Sequence, residues 1–289
     1  MQKKIFVLLL LLLILIVVMV GCTHLDLDFD LEDTELIKVG SENWDEFLID
    51  EHFVLINNMW STTQNTEQII FVTDDGRYGW EWERANTDSA SPNYPEVLLG
   101  VKPWGAHDFT TDVLPIQLGE IDSLFMEIDL DYNIFKEDGY WNLAFELWLT
   151  EDKPGDDVSD SITDEVMIWF DWKDGLWDWD PPVDPNAVDD GNYTYEYNVS
   201  ESGWGDDDWI GGGWTYSQFR ILDKGTIPEV VDLKPFLDYI QEELGRGDDI
   251  WLGALELGME YEDNTAGNTI INSLNYEING HRFESGMNK

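Results

Sequence analysis

The feature that most narrows the fold is a period-two alternation of apolar and polar side chains along most of the chain. It runs through His52–Asn57, Gln68–Thr73, Tyr78–Arg84, Glu96–Val101, Leu124–Tyr132, Trp141–Thr150, Glu165–Trp172, Tyr193–Val199, Thr215–Leu222, Trp251–Tyr261 and Ile270–Ile278. Gly, Asn, Asp and Pro separate the runs. Successive side chains of a strand point to opposite faces, so each run predicts a strand with two distinct sides. One helix stands out. It opens near Pro235, carries Phe236, Leu237, Ile240 and Leu244 at helical spacing, and closes at Gly245. Many strands and a single helix predict an all-β sandwich of two antiparallel sheets. The chain has one cysteine, Cys22, so no intrachain disulfide staples that sandwich and its core must hold it.

The N-terminus reads as an export signal and not as part of the fold. Lys3 and Lys4 precede an apolar run from Ile5 to Val20, and Gly21 stands before Cys22. The run has 16 residues, short of the roughly 20 that a membrane-spanning helix needs. Met19-Val20-Gly21-Cys22 resembles the lipobox of bacterial-type lipoproteins, in which the cysteine is lipidated. The expected organisation is a lipoprotein-type signal over residues 1–21, a tether and first strand over 22–40, and a catalytic domain over 41–289. Acyl chains on Cys22 would hold the protein at the outer cell surface without spanning the bilayer.

A net charge of −46 excludes nucleic acid as a partner, because a phosphate backbone needs cations. Acidic runs such as Asp156-Asp157, Asp189-Asp190 and Asp206-Asp207-Asp208 fall in loop-like sequence and read as a solvated, self-repelling surface. A monomer is expected. Salt screens such repulsion to about 3 Å at 1 M, so a saline habitat is a further expectation.

Three strands have a second face that is not ordinary wet surface. On Glu165–Trp172, Val166, Ile168, Phe170 and Trp172 predict the core side, leaving Glu165, Met167, Trp169 and Asp171 opposite. On Trp141–Leu149, Asn142, Ala144, Glu146 and Trp148 lie opposite a fully apolar side. On Trp251–Tyr261, Trp251, Leu255, Leu257, Met259 and Tyr261 predict the core side, while Ala254, Glu256, Gly258 and Glu260 face away. Gly258 leaves room for an approach to the backbone. Indoles with a few acids suit a polysaccharide: sugar C–H faces rest on flat rings, and two carboxyl groups can flank one glycosidic bond. Alternation alone, in a chain with 61 acidic residues, favours ordinary solvent-facing acids, and it selects no pair among Glu146, Glu165, Glu256 and Glu260.

Longer motifs narrow the choice. Glu165-Val166-Met167-Ile168-Trp169 resembles the E-[LIV]-M-I-W strand of glycoside hydrolase family 12. Asn142 to Trp148 resembles that family's N-x-A-[YF]-[DE]-[IL]-W strand, Asn57-Asn58-Met59-Trp60 its N-N-x-W segment, and Tyr94-Pro95-Glu96-Val97 its Y-P-E-[IV] strand. Glu256-Leu257-Gly258-Met259-Glu260 resembles the late E-x-G-x-E strand. Gly100-Val101-Lys102-Pro103-Trp104 and Phe145 to Thr150 look most like archaeal and thermophilic members. The resemblance implies a jelly-roll β-sandwich with a concave cleft, and retaining endo-hydrolysis of β-1,4-glucans without a cofactor. It implies Glu165 as nucleophile, Glu260 as acid/base and Glu146 as the group that holds Glu165. It implies Asn58, Trp60, Asn142, Met167 and Trp169 as subsite residues. Glu146 stands where many members have Asp, and the acid-rich stretch Trp177–Asn192 replaces a cleft-edge loop.

Other constellations are weaker. The acids around Trp177-Asp178-Trp179-Asp180 lack EF-hand spacing. His24, His52, His107 and His281 are scattered, and no second cysteine joins them. Gly211-Gly212-Gly213 lacks the Lys and Ser/Thr of a phosphate loop. Trp204, Trp209 and Trp214 fit core and cleft lip equally. The competing function is a glycan-binding lipoprotein on the same fold, since sandwiches host many functions. Binding needs only the aromatics, so retention of both Glu165 and Glu260 favours an enzyme.

Overall fold

The predicted strands form, and the ends of most shift by only a few residues. The computed structural model describes residues 34–59, 62–87, 91–105, 111–175, 182–200 and 213–287. Cys22, Trp60, His24, His107, Trp204, Trp209, Gly211, Gly212 and Asp206 to Asp208 lie outside them, as do Trp177 to Pro181 of the acid-rich stretch. The first sheet holds, in order, β1 (Leu36–Gly40), β4 (Thr66–Thr73), β5 (Tyr78–Arg84), β16 (Thr265–Ile278), β8 (Leu124–Glu137) and β14 (Val230–Asp232), with β17 (His281–Gly286) also on β16. The second runs β11 (Asp184–Asp189), β12 (Thr194–Ser200), β13 (Thr215–Ile221), β10 (Ile162–Trp172), β9 (Trp141–Thr150), β15 (Trp251–Tyr261), β6 (Glu96–Gly100), β3 (Phe53–Ile56) and β2 (Glu46–Ile49). The short β7 (Ile116–Gln117) pairs with the start of β15. Helix α1 spans Lys234–Leu244, with Pro in its first turn and Gly245 closing it at φ 67°. It buries Phe236, Leu237 and Ile240. This is the jelly-roll sandwich expected.

The core lies between the sheets. Leu143, Phe145, Leu147 and Leu149 of β9, Val166, Ile168 and Phe170 of β10, and Leu255, Leu257 and Met259 of β15 are fully buried. Rings stitch the layers: Tyr261 stacks on Trp82 with centroids 4.9 Å apart, and Phe53 stacks on Tyr276 at 6.0 Å. Apart from the parallel pair β10–β13, the ladders of the described residues are antiparallel.

Two bulges invert the alternation, and with it two expectations. Between Trp169 and Asp171 the register on β9 slips by one residue, so Trp172 comes to lie opposite Asn142. Trp172 therefore leaves the core side, while Asp171 turns back to accept a hydrogen bond from Tyr132 of the first sheet. Between Leu252 and Leu255 a second slip puts Leu252 in the core and Trp251 outside it, under the ammonium of Lys153. An extra residue in one strand shifts all that follows to the other face. The acid-rich stretch also departs from a plain loop, because Asp184–Asp189 pairs with β12 as an edge strand.

A fully buried Leu cut to Ala leaves a cavity, so Leu257→Ala is expected to cost about 2–5 kcal/mol in denaturant unfolding. Leu48, 46% exposed on edge strand β2, provides the control: Leu48→Ala should stay within about 0.5 kcal/mol.

Candidate active site

The registers gather the predicted acids on one face of the ten-stranded sheet. Glu165 lies opposite Trp148, Met167 opposite Glu146, and Trp169 opposite Ala144. Across the other edge of β9, Glu146 faces Glu256, Ala144 faces Gly258, and Asn142 faces Glu260. Glu96 of β6 continues the row beside Gly258. Residues opposite one another share a side, so five carboxyls from four strands look into one region. They are not surface acids: Glu165 is 7% exposed, Glu146 5%, and Glu96 and Glu256 are fully enclosed. Glu260 is the half-exposed member.

Each carboxyl has its own partners. Trp214, just before β13, donates its indole Nε1–H to Glu165 Oε2 at 2.6 Å, and a second hydrogen bond joins Glu165 to Glu146. Asn142 donates its amide to Glu260 Oε2, and accepts from the Glu260 backbone N–H at 3.3 Å. Asn58 donates to Glu96 Oε1 at 3.0 Å. Lys102 reaches Glu96 and Glu256 together, at 2.7 and 2.8 Å.

Burial sets the protonation pattern. It raises the Glu165 carboxyl to about 7, although the hydrogen bonds from Trp214 and Glu146 and the Lys102 charge pull the other way. Burial raises Glu260 to about 8 against the Asn142 hydrogen bond, with the charges of Glu165 and Glu262 adding to the rise. Burial, with the negative charges of Glu256 and Glu165, pushes Glu146 well above the usual carboxylate range. Glu146 therefore carries a proton to donate, and Glu165 is the acceptor. The arrangement pairs an ionisable carboxylate held by donors with a carboxylic acid that keeps its proton near neutral pH.

Met167 and Trp169, two of the expected subsite residues, reach the same face with different surroundings. Met167 accepts from Tyr216 O–H at 3.2 Å, and Trp169 is fully buried with the Arg220 guanidinium 4.9 Å from its ring centre. Arg220 also covers Trp172, at 5.3 Å. The room expected beside Gly258 is filled: the Tyr94 ring lies so close that a Cβ on Gly258 would sit 2.5 Å from it. Trp148 packs edge-on between Trp104 and Trp214, with centroids 5.2 and 5.5 Å away, and forms an indole wall next to Glu165.

Lys102, Trp214, Tyr94 and Arg220 were not assigned roles from the sequence. Glu96 and Lys102 did fall within matched segments. A lysine in phase with Glu96 on an otherwise apolar strand end was the available signal. Trp172 was hidden by the bulge. Among the described residues no His, Cys, Asp and Glu are grouped as metal ligands.

Gly258→Ala is expected to destabilise the protein by about 1–3 kcal/mol, because the methyl group meets the Tyr94 ring and the Pro95 carbonyl. Thermal and denaturant unfolding would read the loss, and unchanged stability would show that the ring can move aside.

Residues 51–279 match the family described as glycosyl hydrolase family 12. A search of curated proteins found no match. Among solved structures, a native family 12 xyloglucanase from Bacillus licheniformis superposes with a TM-score of 0.69 at 18% identity, covering 83% of this chain and 100% of that one. Endoglucanase cel12A from Rhodothermus marinus superposes with a TM-score of 0.66 at 22% identity, covering 85% and 100%. At those identities the likeness is one of fold, and it extends over the whole of both relatives. The family match covers most of the chain, including every strand that carries one of the five acids described above, and on that ground the chain belongs to glycosyl hydrolase family 12 and is a glycoside hydrolase.

Proposed function

We propose that the protein is a retaining endo-hydrolase of internal β-1,4-glucosidic bonds in cellulose or related β-glucans, with Glu165 as nucleophile and Glu260 as acid/base. The carrying observation is the unequal treatment of two carboxyls on one face. Glu165 receives hydrogen bonds from Trp214 and Glu146, whereas Glu260 is bonded through Asn142 and is less deeply buried. The fold relatives described as a xyloglucanase and an endoglucanase are consistent with a β-glucan substrate.

In the first step the Glu165 carboxylate attacks the anomeric carbon. The glycosidic C–O bond breaks as Glu260 gives its proton to the leaving oxygen, and a glycosyl ester forms on Glu165. Esterification removes the charge of Glu165, which had helped to hold the proton on Glu260. Glu260, now a carboxylate, takes a proton from water as that water attacks the anomeric carbon. Glu165 leaves, and the sugar keeps its original configuration. Glu146 holds the nucleophile, and the indoles of Trp148 and Trp214 wall it in.

Glu165→Ala and Glu260→Ala are each expected to lower kcat/KM on barley glucan at least about a thousandfold while leaving thermal unfolding cooperative. Reducing-end release near the wild-type rate by either folded variant would refute the assignment. The pH profile has a predicted sign on both sides. As pH falls through about 7, Glu165 takes up a proton and loses its nucleophilicity; as pH rises through about 8, Glu260 loses the proton it must donate. The maximum of kcat/KM should therefore lie between these values, and a maximum near pH 5 would contradict the proposed environments.

A further inference from the structure

A buried lysine underlies the acid row, and the reaction just described gives it no task. Lys102 follows β6 past Gly100, whose φ of 108° and close contact with the Gly253 carbonyl exclude any side chain there. That turn returns the chain so that Lys102 Nζ bonds Glu96 Oε2, six residues back, and Glu256 Oε2 on β15. The lysine side chain is 3% exposed and both acids are fully enclosed. The Trp104 ring, 5.1 Å from Nζ, lies beside it.

From this ammonium the carboxyls form an unbroken row to the nucleophile. Glu256 of β15 faces Glu146 of β9, and Glu146 bonds Glu165 of β10. The other titratable groups that face the row are Glu260, Tyr94 and Tyr216. Water is excluded from most of this space, so its four enclosed carboxyls cannot all be ionised. One cation balances one anion. Glu96 stays ionised despite its burial, held there by the Lys102 charge and by hydrogen bonds from Glu256, Lys102 and Asn58. Glu256 and Glu146 keep their protons, each pushed up chiefly by burial. The protons then point one way along each pair: Glu256 donates to Glu96, and Glu146 donates to Glu165.

We propose that Lys102 is a positioning residue of the reaction centre: its enclosed ammonium fixes which carboxyls of the row hold protons, so that Glu146 is left as the donor to Glu165 and Glu165 as the anion that attacks. The inference rests on the nucleophile role proposed for Glu165. The charge of Lys102 acts on Glu165, Glu146 and Glu256, and Glu260 feels it through the charge of Glu165. Its removal must then move the acid side of the pH profile most.

The test is Lys102→Met, read in two ways. Carbon-13 NMR of the glutamate side-chain carboxyls, with the Glu165 signal identified by Glu165→Gln, should show the Glu165 titration moved upward by about half to one pH unit. The acid limb of kcat/KM on barley glucan should move by the same amount, so that activity falls roughly three- to tenfold at pH 6 and about twofold or less at pH 8. The alkaline limb should move less than the acid limb. A uniform loss at all pH values, with the Glu165 titration unmoved, would overturn the proposal and leave Lys102 a packing residue. If Lys102→Met fails to fold, Lys102→Gln keeps hydrogen-bond donors without the charge and carries the same expectation for Glu165. The wild type alone offers a further check: ionised Glu146 at pH 7 in the same spectra would also overturn it. Absence of hydrolysis by wild-type protein, with the NMR shifts as expected, would instead sink the glucanase reading and leave the role of Lys102 in setting the protonation of Glu165 intact.

Discussion

Like charges brought together away from water cannot all persist, and the active face of this protein is arranged around that constraint. Five carboxyls converge on one side of a sheet, four of them almost fully enclosed. Each needs a donor, a cation or a proton of its own. Trp214, Asn142, Asn58 and Lys102 supply the donors and the cation, and Glu146 and Glu256 retain protons. The difference between Glu165 and Glu260 follows from this distribution. Two chemically identical side chains acquire different tasks because one faces several donors and the other faces one amide and solvent.

The scaffold makes such an arrangement possible by burying both faces of β9 and its neighbours. On one side Leu143, Phe145 and Leu147 pack against the first sheet; on the other Asn142, Glu146 and Trp148 share the acid-lined face. The hydrophobic layer fixes the register, and the register fixes the acids. A slip of one residue would send the whole acid set into the core. The stability of the sandwich and the geometry of the reaction centre are therefore set by the same ladders.

Much of this was legible in the sequence. Tyr78–Arg84, Trp141–Thr150 and Trp251–Tyr261 occupy the spans that alternation predicts, and helix α1 lies within a residue of its Pro and Gly signals. The sharing of one face by Glu146, Glu165, Glu256 and Glu260 follows from period two once the strands are aligned. What alternation does not carry is the location of bulges, and so Trp172 and Trp251 were assigned to the wrong side. Nor does it carry contacts between distant segments. The Trp214 bond to Glu165 spans 49 residues and the Lys102 bond to Glu256 spans 154, and neither leaves a local pattern. The edge strand Asp184–Asp189 was hidden because its composition is that of a solvated loop.

The parallel pairing of β10 with β13 has an evolutionary side. Parallel neighbours cannot be joined by a tight turn, and here the connection detours through β11, β12 and the residues that follow them. The strand that bears Glu165 is thus held by β9 on one flank and β13 on the other, while the excursion between β10 and Trp214 can lengthen, shorten or change composition without breaking either ladder. That rim can be remodelled for a different polymer, or loaded with acids for a different medium, while the ladders that space the reacting groups stay as they are.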